Sequence, residues 1–198
     1  MKNVNQKVKA IFITLMLCVF TQMSNAQTNV YVDIAATGSN NGTSWINAFT
    51  DLNTAIANAN AGVGAYNIYV AQGTYAATSA TLIGNPLPTS APASSHYNFC
   101  IKREGIKLYG GYATGGTSRN VKTNSTTLNA FGNYHAVVIA GVNSASDSVV
   151  IDGVRITGGS NTTSLGSQNA VMNGVTIFAA NGAGVNVSNS NAPILFRS

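Results

Sequence analysis

Beyond Gly62 the apolar residues of this chain fall on alternate positions in short runs, with Val154 and Ile156, then Val175 and Ile177, as clear pairs. That period marks strands with one face buried. The runs recur. "GIKLYGG" from Gly105, "GVRITGG" from Gly153 and "GVTIFAA" from Gly174 share Gly, a β-branched residue, any residue, Ile or Leu, any residue, and two small residues. "VIDGVRI" from Val150 and "VMNGVTI" from Val171 agree over a wider stretch, at a spacing of 21 residues. The 48 residues between Gly105 and Gly153 suit two turns of such a repeat with a loop, and "NIYVAQG" from Asn67 and "GVNVSNS" from Gly184 are weaker echoes. Gly, Asn and Ser between the runs supply corners that often need positive φ.

Helical periodicity is confined to one place. Leu52, Ala55, Ile56 and Ala59 form one apolar stripe, Thr50 is the expected N-cap of a helix beginning near Asp51, and Gly62 ends it. Trp45 and Phe49 are expected to pack beside that stripe. A helix in every turn, as in leucine-rich repeats, is thereby excluded, which leaves an all-β fold, a β-solenoid with a short N-terminal α-helical cap. The cap has a physical task, because the first turn of a stack presents open strand edges and an apolar interior to water.

The first 26 residues read separately. Lys2, Lys7 and Lys9 precede an apolar run from Ala10 to Phe20, with Ser24 and Ala26 placed for cleavage, as in a secretory signal peptide. A run of eleven residues is too short to span a bilayer, which takes about 20. Cys18 follows Leu17, where a lipoprotein signal wants a small residue. The expected organisation is therefore 1–26 signal peptide, 27–65 cap region and 66–198 coils. Removing the signal lowers the formal charge from +5 to +2, too little for a nucleic-acid footprint. A single cysteine, Cys100, then remains, so no internal disulfide forms and the thiol reads as a small core residue.

Charge is scarce, while 22 asparagines follow residue 26. Stacked parallel strands place equivalent residues about 4.8 Å apart. Like charges at that distance repel by roughly 1 to 4 kcal/mol. Asparagines at that spacing instead hydrogen-bond to one another in ladders.

The ordered series "YVDIAATGSNNGTSWINAFTDLNTAI", "IYVAQGTY", "IKLYGGY" and "VVIDGVRITGG" resembles the N-terminal part of secreted bacterial right-handed parallel β-helix proteins of the pectin-lyase-like superfold. "FAANGAGV", through Phe178, Asn181, Gly184 and Val185, also resembles the repeat of polymorphic outer-membrane proteins, with Ala183 in place of the first Gly of its pair. The resemblance implies a right-handed parallel β-helix. It also directs a search for clustered acids, because lyases of that superfold use acidic calcium sites with an Arg or Lys base, and its hydrolases use paired acids a few ångströms apart.

The chain beyond the signal offers Asp33, Asp51, Glu104, Asp147 and Asp152. Asp147 and Asp152 are the near pair, and Asp152 with Arg155 is the tempting dyad. The 21-residue register sets Asn173 and Thr176 opposite them, so a dyad would break its own repeat, and no catalytic set is expected. No metal site or cofactor is expected either. Calcium at Asp33 to Ser44 fits poorly, since an EF-hand loop wants a carboxylate or amide where Ala35 and Thr37 stand and a Glu where Ser44 stands. His96 and His135 share no ligand spacing and read as turn or strand-surface residues. Binding is expected at the outward Tyr109 and Tyr112, which flank Gly110 and Gly111, with Tyr97 and Tyr134 in neighbouring segments.

Three functional readings follow. One is a secreted or cell-surface protein of binding, adhesion or structural type, with extracellular glycans or cell-surface molecules as partners. The second is a carbohydrate-active enzyme, a polysaccharide lyase or glycoside hydrolase, on fold analogy. The third makes the chain the N-terminal piece of either, because "APILFRS" stops in a strand-like run and further coils are expected after it.

Overall fold

The structure, a computed structural model, describes residues 27–78, 97–133, 135–140, 142, 146–159, 169–172, 175–178, 185–188 and 192–197. The signal segment, His96, Tyr134, Asn173 and residues 179–184 of the outer-membrane-type repeat lie outside them. Strands dominate. They are β1 (Thr28–Val32), β2 (Tyr66–Ala71), β3 (Gly73–Ala76), β4 (Phe99–Ile101), β5 (Ile106–Tyr112), β6 (Thr126–Asn129), β7 (Val137–Ala140), β8 (Val149–Asp152), β9 (Val154–Thr157), β10 (Asn169–Met172), β11 (Val175–Phe178), β12 (Val185–Ser188) and β13 (Ile194–Arg197). One helix, α1 (Leu52–Ala61), stands among them.

Three parallel sheets hold eleven of these strands. The first runs β1-β2-β5-β8-β13, the second β3-β6-β9 and the third β4-β7-β12. From β2 onward the chain visits them in a fixed order, first, second, third, and begins again at β5 and β8. In the first sheet the register pairs Tyr66 with Ile106, Lys107 with Val150 and Val149 with Ile194, steps of 40, 43 and 45 residues. The remaining strands, β10 and β11, form an antiparallel pair between β9 and β12.

This register corrects the sequence repeat. "VMNGVTI" is the β10–β11 hairpin, with Met172 opposite Val175, so it is not stacked on "VIDGVRI". Asp152 instead lies between Tyr109 and Arg197, and Arg155 lies opposite Thr127. Between Gly105 and Gly153 the chain passes once, not twice, through the three sheets. The motifs recur because a Gly-led corner before a short strand serves any sheet, so their likeness marks corners and not register. "NIYVAQG" is the echo that does stack, as β2 on β5.

The interior follows from alternation. Val30, Ile68, Leu108 and Ile151 occupy one register row of the first sheet, and all are buried. Tyr75 and Leu128 line the second sheet, Phe99, Ile101, Val137 and Ile139 the third. Each such side chain contributes roughly 1.5 to 3 kcal/mol on burial. The Asn ladder is real but short. Asn67 Nδ2 donates to Asn29 Oδ1 at 3.1 Å, and Lys107 occupies the next position.

α1 covers the starting edges of the second and third sheets. Leu52, Ala55, Ile56 and Ala59 join the core as the stripe expected. The N-cap is Asp51 and not Thr50, because the Asp51 carboxylate accepts from Asn53 N–H and Thr54 N–H while Thr50 N–H donates to Asn40 Oδ1. Two helix asparagines seven residues apart, on one face and about 10 Å apart, then meet the two edge strands. Asn53 Nδ2 donates to the carbonyl of Ala76 at the end of β3. Asn60 Nδ2 donates to Cys100 C=O at 2.7 Å while its Oδ1 accepts from Lys102 N–H at 2.9 Å, which supplies β4 with the two bonds a neighbouring strand would make. The first sheet is closed differently. The loop after β1 folds back, so that Tyr31 N–H donates to Gly42 C=O, Phe49 N–H to Tyr31 C=O and Asp33 N–H to Phe49 C=O.

Candidate functional site

Alternation that sends Ile68 and Leu108 inward sends the residue after each of them outward. Tyr31, Tyr69 and Tyr109 therefore stand in one register file on the outer face of the first sheet. Their ring centroids are 5.5 Å and 5.8 Å apart. A second file lies beside it. Trp45, carried by the loop after β1, sits 5.0 Å from Tyr31; Tyr112, at the end of β5, sits 5.5 Å from Tyr69 and 5.2 Å from Trp45. The Arg119 guanidinium completes that file, 5.8 Å from the rings of both Tyr109 and Tyr112. The result is a grid two residues wide and three deep, and every aromatic in it is half-buried.

The segment between β5 and β6, residues 113–125, straps this grid in place. Asp33 is 1% exposed, and its carboxylate accepts from Ala35 N–H at 2.9 Å and from Gly115 N–H at 2.7 Å, which ties the strap to the end of β1. Gly116, at φ +71°, lies directly on the Trp45 indole, where a Cβ would collide with the ring. Arg119 Nε donates to Gly110 C=O at 2.9 Å, and its Nη2 pairs with Asp152 Oδ1 at 2.6 Å. Asp152 is the residue that continues the file of Tyr109, so the aromatic run ends in a charge pair. Burial raises the Tyr112 hydroxyl above its ordinary value, with Arg119 pulling the other way. The grid is aromatic ring surface over most of its length, with one cation, Arg119, held at its far end.

Tyr109 and Tyr112 thus belong to one surface together with Tyr31, Trp45, Tyr69 and Arg119, none of which a sequence motif marks as a site. A signal for the file was present, since "VYV", "IYV" and "LYG" each place Tyr after an inward apolar residue. Trp45 corrects its expected place beside the helix stripe: Phe49 is in the core, whereas Trp45 packs on the tyrosines. Tyr97 packs against the core.

The acidic candidates separate. Asp147 precedes β8 and pairs with Lys107 at 3.4 Å; Asp152 ends β8 and pairs with Arg119. Five nearly extended residues put them on the order of 15 Å apart, against roughly 5 to 9.5 Å between the carboxyls of a glycosidase. Arg155 is exposed on β9, in a different sheet from Asp152, so the tempting dyad does not form. His135 is 7% exposed, which corrects its reading as a surface residue. Cys100 is buried, and desolvation pushes its thiol up to about 12 despite the nearby Lys102. No group of three or more His, Cys, Asp or Glu side chains placed to hold a metal occurs among the described residues. No helix among them is long and apolar enough to cross a membrane. No family model, curated protein or solved structure matches the chain.

Proposed function

We propose that the protein is a secreted or cell-surface right-handed parallel β-helix that binds extracellular glycans on the aromatic grid. The coil reading is supported by the cyclic order in which the chain visits its three parallel sheets, and the hand by the near-universal right-handedness of parallel crossovers. Export is supported by the basic and apolar pattern of residues 1–26.

The observation that carries the binding reading is the grid itself. Five half-buried aromatics on one outer face are far more than a solvated sheet surface needs, and they offer apolar ring surface bordered by hydroxyls and an indole N–H. A sugar ring has matching chemistry, with apolar C–H patches and a hydroxyl rim. A glycan array probed with the protein tests the reading, with Tyr109→Ala and Tyr112→Ala as paired controls. Binding that both variants lose is the expected result, and an array without signal rejects it. Polysaccharide cleavage is the competing reading, and reducing-sugar release abolished by Asp152→Asn would establish it instead.

A further inference from the structure

The grid is longer than one sugar. Its long axis runs across the strands, from Tyr31 and Trp45 through Tyr69 and Tyr112 to Tyr109 and Arg119, with ring centres 5.2 to 5.8 Å apart and the Arg119 guanidinium 5.8 Å from the last ring of its file. This spacing comes from the stacking of strands, about 4.8 Å per step, widened by the tilt of the rings. The two ends differ. At the β1 end Trp45 is clamped between Tyr31, Tyr112 and Gly116. At the β8 end the file passes from Tyr109 to the Asp152 carboxylate, already bound to Arg119. A ligand that used the whole surface would be a linear chain of ring-shaped units lying across the strands. Its first units would meet aromatic surface, and the last would meet a hydrogen-bonding ion pair.

We infer that the grid is a track for a linear oligosaccharide of at least three units, lying across the strands with one end at Arg119 and Asp152. This inference rests on the glycan-binding reading, deepens it and is separable from it. A monosaccharide site needs one pair of rings and gains nothing from the other four side chains. A track gains affinity with each unit until its three rows are filled.

The chain contains a single tryptophan, Trp45, so its emission reports on the β1 end alone. The test titrates the full chain with cello-, manno-, xylo- and N-acetylchito-oligosaccharides of one to six units, followed by calorimetry and by Trp45 fluorescence. In the series that binds, affinity rises roughly two- to tenfold per unit from one to three, the range set by an aromatic contact, and levels off beyond about four. Trp45 emission shifts with the trisaccharide and longer chains. Tyr31→Ala cuts trisaccharide affinity by the same factor and leaves disaccharide affinity within twofold. Equal affinity for one and three units, or Tyr31→Ala weakening every length alike, overturns the track while glycan binding stands. No binding in any series overturns both. Should Tyr31→Ala unfold the chain, Trp45→Phe at the same end provides the same comparison by calorimetry, with trisaccharide affinity reduced and disaccharide affinity within twofold.

Discussion

The helix-capped end of the stack and the aromatic face of its first sheet treat exposed groups in opposite ways. At the capped end exposed groups are covered. Asn60 and Asn53 satisfy edge backbone groups of β4 and β3, the loop after β1 bonds the edge of the first sheet, and Leu52 and Ile56 are buried beneath. On the aromatic face five large rings are packed against one another and then left half-uncovered. Groups that serve folding are closed off, whereas groups available to a partner are ordered but not covered. The contrast separates substitutions at the cap, expected to reduce stability, from those on the grid, which on the proposed function are expected to reduce binding.

The strongest way to break that division is at Leu52. Leu52→Ala removes a fully buried side chain from beneath the cap and is expected to lower unfolding free energy by about 3 kcal/mol in a denaturant titration. Retained stability would mean that the helix does not seal the core. Asn60→Ala comes next. It removes the side-chain bonds to Cys100 C=O and Lys102 N–H, for a loss of roughly 1 to 3 kcal/mol and faster amide exchange at Lys102. Unaltered exchange there would show that water replaces the side chain freely.

Alkaline pH sharpens the comparison on the same edge strand. The folded state holds the Cys100 proton up to about 12, and the unfolded chain releases it near the ordinary value of 9.0. The stabilisation is thus complete below pH 9 and is lost as pH rises towards 12, at no more than about 1.4 kcal/mol per pH unit. Cys100→Ala flattens that part of the pH profile if the thiol is its source. On the grid, Tyr69→Ala is expected to weaken glycan binding by about 1 kcal/mol, because Tyr69 touches Tyr31, Tyr109 and Tyr112, and to change stability by less than the cap variants. The smallest effect belongs to Arg119→Gln. Its ion pair with Asp152 is only partly sheltered, so roughly 0.5 to 1 kcal/mol is expected, shrinking in high salt.

Local patterns carried much of this architecture. The alternation around Val154 and Ile156 and the lone helical stripe were visible because each depends on side-chain period within a few residues. Register was not visible, because it depends on which strands meet, and the 21-residue likeness of two Gly-led corners pointed to a stacking that the β10–β11 hairpin replaces. Tyr109 and Tyr112 were legible as outward aromatics. Trp45 and Arg119 reach the grid from loops tied down by Asp33, Gly116 and Asp152, and no short spacing records such contacts. The three apolar-Tyr tripeptides were readable, at intervals of 38 and 40 residues, only once a step of about that length was known.

Asn60 finishes a sheet with a side-chain carboxamide, the same chemical group as the peptide it stands in for, and that identity has a consequence over time. A peptide amide in a strand is sheltered by its neighbours, whereas an asparagine amide is open to slow hydrolysis. Deamidation of Asn60 would turn the group that now donates to Cys100 C=O into a carboxylate facing a carbonyl. The same event would leave the acceptor for Lys102 N–H in place. Asn60→Asp makes the same exchange directly and is expected to convert a closed edge into one that repels its own lid.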